Sequence, residues 1–223
     1  MIIGNDIRAR GSYMKTLDEI ALASGTDKHS LSHNYTCYYE IFLEPIRNDH
    51  INLLEIGIDK GNSLRLWKEY FPNAEIHGID IIDCSEHADD RIIIHVADQS
   101  KEDELFRFGQ RFPQYFDIII DDGSHQSGDM ILSFEILFSY LKSGGIYVIE
   151  DLLCAYDSRW NQNGNIYDRI RQMVGEIQMN GAIPNDSLCA NKLEAVKKYN
   201  GTYFEKNIEW IFVSCGLVII KKI

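Results

Sequence analysis

Residues 117–125, with the sequence DIIIDDGSH, and residues 144–151, with the sequence GGIYVIED, decide the fold of this chain. Each segment is an apolar run bounded by turn residues and followed by acidic residues, a pattern typical of a buried strand in a parallel sheet. In open α/β sheets, ligands bind beyond the carboxyl ends of such strands. If the two strands are neighbours, five ionisable residues converge on one crevice: Asp121, Asp122, His125, Glu150 and Asp151.

The predicted crevice combines four carboxylates with one imidazole. Such a concentration of negative charge is unfavourable unless a cation neutralises it. Oxygen ligands favour a hard ion such as Mg²⁺, and a nearby imidazole makes Mn²⁺ or Fe²⁺ an alternative. The sequence therefore predicts a divalent metal site, with His125 beside it as a general base.

The composition limits the classes of function that the chain can have. Its 223 residues suffice for one domain with a full core, and the formal net charge of −12 argues against a basic face for nucleic acid. The amino terminus lacks a signal pattern, and no apolar run approaches the length of a membrane span. The five cysteines form no Cys-x-x-Cys pair, which favours reduced thiols. We therefore expect a cytoplasmic protein without nucleic-acid or membrane partners, and leave a homo-oligomer open.

From residue 51 onward, strand-like runs alternate with helical patterns. The predicted strands are residues 51–57, 75–81, 91–96, 117–122 and 144–151, and the clearest helices are residues 63–71 and 127–141. This alternation indicates βαβ units with right-handed crossovers. Residues 166, 170, 173, 174 and 177 predict an amphipathic helix, and residues 209–220 predict a hairpin. The predicted fold is an α/β, Rossmann-like doubly wound sheet, mostly parallel, of about seven strands with an antiparallel strand in the carboxyl-terminal hairpin.

The first 48 residues carry a different pattern. Residues 16–23 predict a helix with Thr16 and Glu19 as its capping box, and residues 35–46 predict a second helix. We predict a single domain, 1–223, in which residues 1–48 form a helical cap or lid and residues 49–223 form the cofactor-binding α/β core. Three tyrosines either pack within the second helix, which we favour, or stack on a sugar: Tyr35, Tyr38 and Tyr39. His29 and His33 are either lid residues or surface residues, and the role of Lys28 is open.

The first core strand ends in a loop that contains glycine, within residues 54–63 (LEIGIDKGNS). Gly57 and Gly61 let the backbone approach a ligand closely, and Ser63 begins the next helix. The loop lacks the third glycine of the dinucleotide fingerprint, and Glu55 suits a ligand with a cationic or hydroxyl-rich portion better than a pyrophosphate.

The next two strands also end in polar residues. Asp80 closes the second strand, at the position from which a carboxylate binds ribose hydroxyls. Asp98 and Gln99 close the third strand, where an adenine edge would lie. A turn or a cap explains Asp80 or Asp98 equally well when each is taken alone. Three such strand ends in succession predict a bound nucleoside.

Several motifs occur in an order that resembles a known family. Residues 54–57 (LEIG), 61–67 (GNSLRLW) and 77–80 (HGID) resemble the first two motifs of class I S-adenosylmethionine-dependent methyltransferases. Residues 25–28 (GTDK), 97–100 (ADQS), 121–125 (DDGSH) and 147–151 (YVIED) resemble the metal-dependent sugar O-methyltransferases of macrolide biosynthesis, of the mycinamicin and tylosin type. The resemblance covers roughly residues 20–155.

The resemblance implies a function and a role for each matched residue. S-adenosylmethionine would donate a methyl group to a hydroxyl of a nucleotide-linked sugar or a glycosylated natural product. Asp122, Glu150 and Asp151 would hold a magnesium-type ion, with Asp122 and His125 as the catalytic residues. From the residues alone, Asp121 is a further candidate metal ligand, but a role nearer the cofactor or as a turn cap is favoured. The alternatives are methylation of a catechol-like small molecule and a non-catalytic nucleoside-binding domain.

Overall fold

The computed structural model describes residues 14–182 and 200–223. The helices in these ranges are α1 (Leu17–Ser24), α2 (Thr36–Leu43), α3 (Asn62–Tyr70), α4 (Glu102–Arg111), α5 (Ser127–Leu137), α6 (Ile166–Ala182) and α7 (Tyr203–Asn207). The strands are β1 (Asn52–Ile56), β2 (Glu75–Asp80), β3 (Ile92–Val96), β4 (Phe116–Asp121), β5 (Leu141–Ile149), β6 (Ile208–Val213) and β7 (Val218–Lys222).

The seven strands form one sheet in the order β3-β2-β1-β4-β5-β7-β6. Strands β1 to β5 run parallel to one another, whereas β7 is antiparallel to both β5 and β6. The predicted doubly wound, mostly parallel sheet with an antiparallel hairpin strand is therefore confirmed. The strand order reverses between β1 and β4, so the carboxyl ends of these two neighbours form the crevice in which open α/β sheets bind ligands.

Helices cover both faces of the sheet, which explains the uninterrupted apolar runs in its strands. Ile118 belongs to a cluster that includes buried residues of α1, α2 and α3. The next residue, Ile119, belongs to the opposite cluster, which includes buried residues of α4, α5 and α6. Because successive side chains in a strand point to opposite faces, both must be apolar when both faces are buried.

The predicted start of α1 is confirmed. The Thr16 hydroxyl accepts a hydrogen bond from Glu19 N at 3.2 Å, and the Glu19 carboxylate accepts one from Thr16 N at 2.8 Å. The helix ends at Gly25, which has a left-handed φ of +76°. The chain then turns back, and Thr36 N at the start of α2 donates to the carbonyl of Lys28 at 3.1 Å. The first two helices and the loop between them thus form one packed layer.

Two predicted details are wrong. The helix predicted for residues 127–141 ends at Leu137, and a 3-10 turn leads to Leu141, which already begins β5. The pairing of β5 with β4 shifts in register between Leu141 and Ile146, where Gly144 has a φ of +74°. Gly144 and Gly145 therefore interrupt the strand instead of preceding it. In addition, Val174 is 46% exposed, because the buried stripe of α6 is narrower than the sequence pattern indicates.

Other predictions concern cysteines, membranes and the tail. The four cysteines within the described ranges, Cys37, Cys84, Cys154 and Cys215, are free thiols. Cys189 and most of the segment 180–198, whose structure the sequence leaves ambiguous, lie outside those ranges. Of the helices that the structure describes, none has the length and apolarity that crossing a bilayer requires.

Candidate active site

A cavity of about 790 Å³ lies at the carboxyl ends of β1 to β4. Its volume falls in the range of small-molecule sites. Eight of the predicted site residues line it: Gly57, Ser63, Asp80, Asp98, Gln99, Asp122, His125 and Asp151. The other four are not among the lining residues: Glu55, Gly61, Asp121 and Glu150. One edge of the sheet therefore brings together most of the residues that sequence analysis selected.

The two loop glycines are required by close packing. Gly57 has φ +91°, and a Cβ atom there would lie 2.2 Å from the carbonyl oxygen of Asp122. Gly61 has φ +66°, and a Cβ atom there would lie 2.8 Å from the ring of His87. These glycines let the loop after β1 contact the loop after β4 and the residues that follow β2. Their predicted approach to a cofactor remains a prediction.

Asp80 and Asp98 are held by the backbone of nearby loops. Asp80 accepts hydrogen bonds from Ile58 N at 2.8 Å and from Ile82 N at 3.0 Å. Asp98 accepts from Ser100 N at 2.8 Å and from the Ser100 hydroxyl at 2.7 Å, and these bonds lower the pKa of Asp98. Because a carboxylate has about four lone-pair sites, both residues keep acceptor capacity for a ligand in the cavity.

Glu55 lies behind the cavity wall. Its carboxylate accepts a hydrogen bond from the Ser63 hydroxyl at 2.7 Å, and its other oxygen lies 3.7 Å from Lys28 Nζ. Burial raises the pKa of Glu55 to about 7, against the opposing effect of the Lys28 charge. A cationic group that reached this carboxylate would favour its charged form.

Gln99 and Asp121 support the loop that carries His125. Gln99 Nε2 donates to Asp121 at 2.6 Å and to the Ser133 hydroxyl at 2.8 Å, while Gln99 Oε1 accepts from Ser124 N at 2.9 Å. Burial raises the pKa of Asp121 to about 7. Both ends of the Gln99 amide thus bind inside the protein. The predicted adenine contact of Gln99 and the predicted cofactor role of Asp121 remain predictions.

Asp122, His125 and Asp151 form a group that can hold a metal ion. One ligand atom from each residue lies within 4.8 Å of the other two. His125 Nε2 is 3.6 Å from Asp151 Oδ2. His125 and Asp151 both have left-handed backbones, with φ of 56° and 53°. Such conformations are costly for residues other than glycine and are concentrated at functional sites.

Glu150 has a different environment from these three residues. It is 1% exposed, one of its oxygens accepts from Lys28 Nζ at 2.8 Å, and the other accepts from the Tyr39 hydroxyl. Burial raises the pKa of Glu150 well above its usual value. Each of its oxygens keeps a second lone pair. The assignment of Glu150 as a metal ligand remains a prediction.

Residues of the N-terminal cap contact this acidic group, which the sequence analysis missed. Lys28 is fully buried, and its Nζ contacts Asp122 as well as Glu150. Burial alone would lower the pKa of Lys28, but the surrounding carboxylates raise it well above its usual value, so the ammonium stays charged. The Tyr35 hydroxyl donates to Asp151 at 2.8 Å. The only sequence signal for these contacts is the Gly-Thr-Asp-Lys motif.

Aromatic rings contact His125 and Tyr35 near the acidic group. The Trp160 ring lies edge-on to His125, with 6.2 Å between centroids. The Trp160 carbonyl accepts a hydrogen bond from Ser127 N at 2.8 Å, which fixes this segment to the start of α5. His33 stacks on Tyr35 with 5.2 Å between ring centroids, and His33 Nε2 lies 3.4 Å from Asp27. Sequence analysis assigned no role to Trp160.

Sequence comparison with known proteins finds relatives that are named as O-methyltransferases. Demethylmacrocin O-methyltransferase of Streptomyces fradiae is 39% identical over 213 residues, which are 92% of this chain and 53% of that protein. The 8-demethyl-8-alpha-L-rhamnosyl tetracenomycin-C 2'-O-methyltransferase of Streptomyces olivaceus is 38% identical over 167 residues, 72% of this chain and 43% of that protein. No family model matches the chain.

A solved structure decides the fold family. The MycE methyltransferase of the mycinamycin biosynthetic pathway, in complex with Mg, SAH and mycinamycin VI, superimposes with a TM-score of 0.80 at 30% identity, over 95% of this chain and 56% of that one. This chain has the class I methyltransferase fold. Its homologues are O-methyltransferases of glycosylated natural products, as the sequence resemblance implied. The chain spans about half the length of the curated relatives it matches.

Proposed function

We propose that this class I methyltransferase transfers a methyl group from S-adenosylmethionine to a sugar hydroxyl, with the help of a divalent ion. The observation that carries the proposal is the group of Asp122, His125 and Asp151 on the wall of the 790 Å³ cavity. A metal-dependent methyltransferase needs both a metal site and a cavity for its cofactor. A domain that only binds a nucleoside needs the cavity alone.

The residues present fit a divalent ion. Asp122 and Asp151 each offer a carboxylate oxygen, close enough together to contact one ion, and His125 lies beside them with its nitrogen left to act as the base. Oxygen donors with waters completing the coordination suit Mg²⁺, and the imidazole also permits Mn²⁺ or Fe²⁺. Glu150, adjacent to Asp151 in the chain, remains a proposed fourth donor. Lys28 already offsets part of the charge of Asp122 and Glu150, and a divalent ion would offset the charge of Asp151 as well.

The cofactor half of the cavity also fits its ligand. We assign Asp80 to the ribose hydroxyls and Asp98 to the adenine side, since both carboxylates line the cavity and keep acceptor capacity. Glu55, below the wall, is assigned to the cationic methionine end. Gly57 allows the loop backbone to come close to the cofactor. Gly61 and Ser63 shape the same loop and the start of α3.

The chemistry needs a proton acceptor beside the acceptor hydroxyl. When bound, S-adenosylmethionine supplies the methyl group, and the divalent ion lowers the pKa of a hydroxyl that it contacts. We assign the removal of the hydroxyl proton to His125 Nε2. Asp151, 3.6 Å from that nitrogen, stabilises the positive charge that His125 gains.

The homologues indicate a sugar as the acceptor. Their names specify methylation of a rhamnosyl tetracenomycin, of mycinamicin VI and of an olivosyl oleandolide. A sugar offers neighbouring hydroxyls, two of which can contact one ion. We therefore place the acceptor of this chain among glycosylated natural products or nucleotide-linked sugars, with the sugar hydroxyl at the ion and at His125.

The experiment that tests the function is a methyl-transfer assay with labelled S-adenosylmethionine, Mg²⁺ and a panel of acceptors. The panel contains 8-demethyl-8-α-L-rhamnosyl tetracenomycin C, mycinamicin VI, a nucleotide-linked rhamnose and a catechol. We expect label on a sugar oxygen and loss of transfer when a chelator removes the ion. Transfer to the catechol alone would contradict the sugar assignment. A chain that bound no S-adenosylmethionine in calorimetry would contradict the proposal as a whole.

A further inference from the structure

The N-terminal cap reaches the acidic group at three points, all within residues 17–43. Lys28 comes from the loop between α1 and α2, Tyr35 immediately precedes α2, and Tyr39 lies within it. Each contacts a carboxylate that follows β4 or β5: Asp122, Asp151 and Glu150. In each contact the two residues are 94 to 116 positions apart in the chain, so only the tertiary fold brings them together.

Lys28 provides the charged contact. Its side chain is completely buried, and its ammonium hydrogen bonds to Asp122 Oδ2 and, at 2.8 Å, to Glu150 Oε2. A charged lysine is buried only at a high cost in free energy, unless opposite charges surround it. Because Oδ2 of Asp122 is engaged in this way, the orientation of its carboxylate is set and Oδ1 remains for another ligand.

Tyr35 holds one oxygen of Asp151 by a hydrogen bond. Its hydroxyl donates to Oδ1 at 2.8 Å, while Oδ2 of the same carboxylate lies 3.6 Å from His125 Nε2. The space around this hydroxyl is closely filled, since a Cβ atom at Gly216 would lie 2.5 Å from it. The hydrogen bond therefore fixes one oxygen of Asp151 and leaves the oxygen that faces His125.

Tyr39 holds the third carboxylate. Its hydroxyl donates to Glu150 Oε1, and its fully buried ring packs edge-on against Trp67 at 5.1 Å. The backbone links the three cap residues, because Thr36 N donates to the Lys28 carbonyl and Tyr39 N donates to the Tyr35 carbonyl. Backbone hydrogen bonds thus connect the parts of the cap that carry the three donors.

We propose that Lys28, Tyr35 and Tyr39 are positioning residues that hold the carboxylates of Asp122, Asp151 and Glu150, and so make the N-terminal cap part of the ion site. This inference rests on the proposed function. Groups that hydrogen bond to metal ligands orient them, and replacing such groups typically lowers metal affinity by about 10- to 100-fold. A cap that served only as a lid over the acceptor would leave the affinity for the ion unchanged.

The decisive variant is Tyr35→Phe, because it removes one hydroxyl and keeps the ring and the net charge. We expect the affinity for Mn²⁺, measured on the full chain by electron paramagnetic resonance without cofactor or acceptor, to fall by about 10-fold or more. The matched control is Tyr70→Phe, which removes another buried tyrosine hydroxyl, one that donates to Glu44 at 2.7 Å. It should lower the thermal stability and leave Mn²⁺ affinity unchanged.

Lys28→Met tests the charged contact, with Lys222→Met as its control. Lys222 is also buried, but its Nζ donates to the backbone carbonyls of Phe138 and Leu141 at 3.0 and 2.7 Å. We expect Lys28→Met to bind Mn²⁺ more weakly than the wild type and Lys222→Met to bind it equally well. Tighter binding by Lys28→Met would show that the ammonium competes with the ion, and would overturn the positioning role of Lys28.

These measurements separate the inference from the function on which it rests. A wild-type chain that binds Mn²⁺, with Tyr35→Phe and Tyr39→Phe both within twofold of it, would overturn the inference alone. A wild-type chain that binds no Mn²⁺ would overturn the inference and the metal dependence together. If Lys28→Met does not fold, as circular dichroism would reveal, the two tyrosine variants decide the result.

Discussion

Asp80 and Asp98, at the ends of β2 and β3, accept their hydrogen bonds mainly from backbone N–H groups of adjacent loops at the same sheet edge. Asp122, Asp151 and Glu150, beyond β4 and β5, are instead held by side chains that lie 94 to 122 residues away in the N-terminal cap. The cofactor half of the crevice is therefore organised by local backbone, and the ion half by long-range side-chain contacts.

This difference has a physical consequence. A hydrogen bond from the backbone persists when neighbouring side chains change, whereas a side-chain donor from a distant element is lost with a single substitution. Affinity for the cofactor should therefore tolerate changes in the cap, and affinity for the ion should not. The first three predictions below test whether the two halves separate in this way, and the fourth concerns the core beneath the cofactor half; the largest effect comes first.

Replacing His125 by alanine should abolish most of the turnover. General acid–base catalysis contributes about 100- to 10,000-fold, so kcat should fall by that amount. S-adenosylhomocysteine affinity, measured by calorimetry, should stay within a few-fold of wild type, because the cofactor half does not depend on His125. His50→Ala, at an exposed histidine before β1, is the control and should keep full activity. A His125→Ala enzyme with a nearly normal kcat would exclude His125 as the base.

Asp151→Asn should separate the two halves most clearly. It removes an anionic donor from the metal group. Replacing a residue that only hydrogen bonds to a metal ligand lowers metal affinity by about 10- to 100-fold, so the loss of the ligand itself should lower Mn²⁺ affinity by at least that much. Affinity for S-adenosylhomocysteine should be little changed. Asp117→Asn is a matched control: Asp117 lies at the opposite end of the sheet, where it pairs with Lys142 at 2.8 Å. Equal losses of ion and cofactor affinity in Asp151→Asn would break the distinction.

Asp80→Asn should give the reverse pattern. A hydrogen bond to a charged group contributes about 1.5 kcal/mol, so S-adenosylhomocysteine affinity should fall by about tenfold. Mn²⁺ affinity, measured in the same preparation, should equal that of the wild type because Asp80 makes no described contact with the metal group. A variant that bound the ion poorly and the cofactor normally would reverse our assignment of the two halves.

The smallest effect concerns pH and the core beneath the cofactor half. The His95 ring packs against Phe108 and Phe112 and hydrogen bonds to His77. Burial lowers the pKa of His95 to about 4, with His77 adding to the shift. Between about pH 6.5 and pH 4 the unfolded chain therefore binds more protons at this residue than the folded chain. The free energy of unfolding should fall as the pH falls through this interval.

Urea denaturation at a series of pH values measures this effect. His95→Gln should show a shallower loss of stability on acidification than the wild type, although His77, whose pKa burial also lowers, keeps part of the slope. His50→Gln is again the exposed control and should follow the wild-type curve. An unchanged slope in His95→Gln would mean that His95 is protonated at the same pH in the folded and unfolded chain.

How much of the site was predictable depends on the range of the interactions involved. Asp80, Asp98 and Asp122 are recognisable because each follows a buried strand, and parallel strands bring their carboxyl ends to one edge. The start of β5 at Leu141 was missed because two glycines that interrupt a strand have the same local pattern as a turn. The exposed position of Val174 was missed because periodicity predicts which face of a helix is apolar. It does not predict how much of that face the neighbouring elements cover.

By itself, the sequence determined the doubly wound sheet, the order of acidic strand ends and the resemblance to sugar O-methyltransferases, since these follow from local periodicity and short motifs. Only the tertiary structure decided that Lys28, Tyr35 and Tyr39 bind the acidic group and that Gln99 supports the loop of His125. The physical reason is that a buried polar side chain takes its partner from whichever element packs against it. Local sequence does not encode that partner.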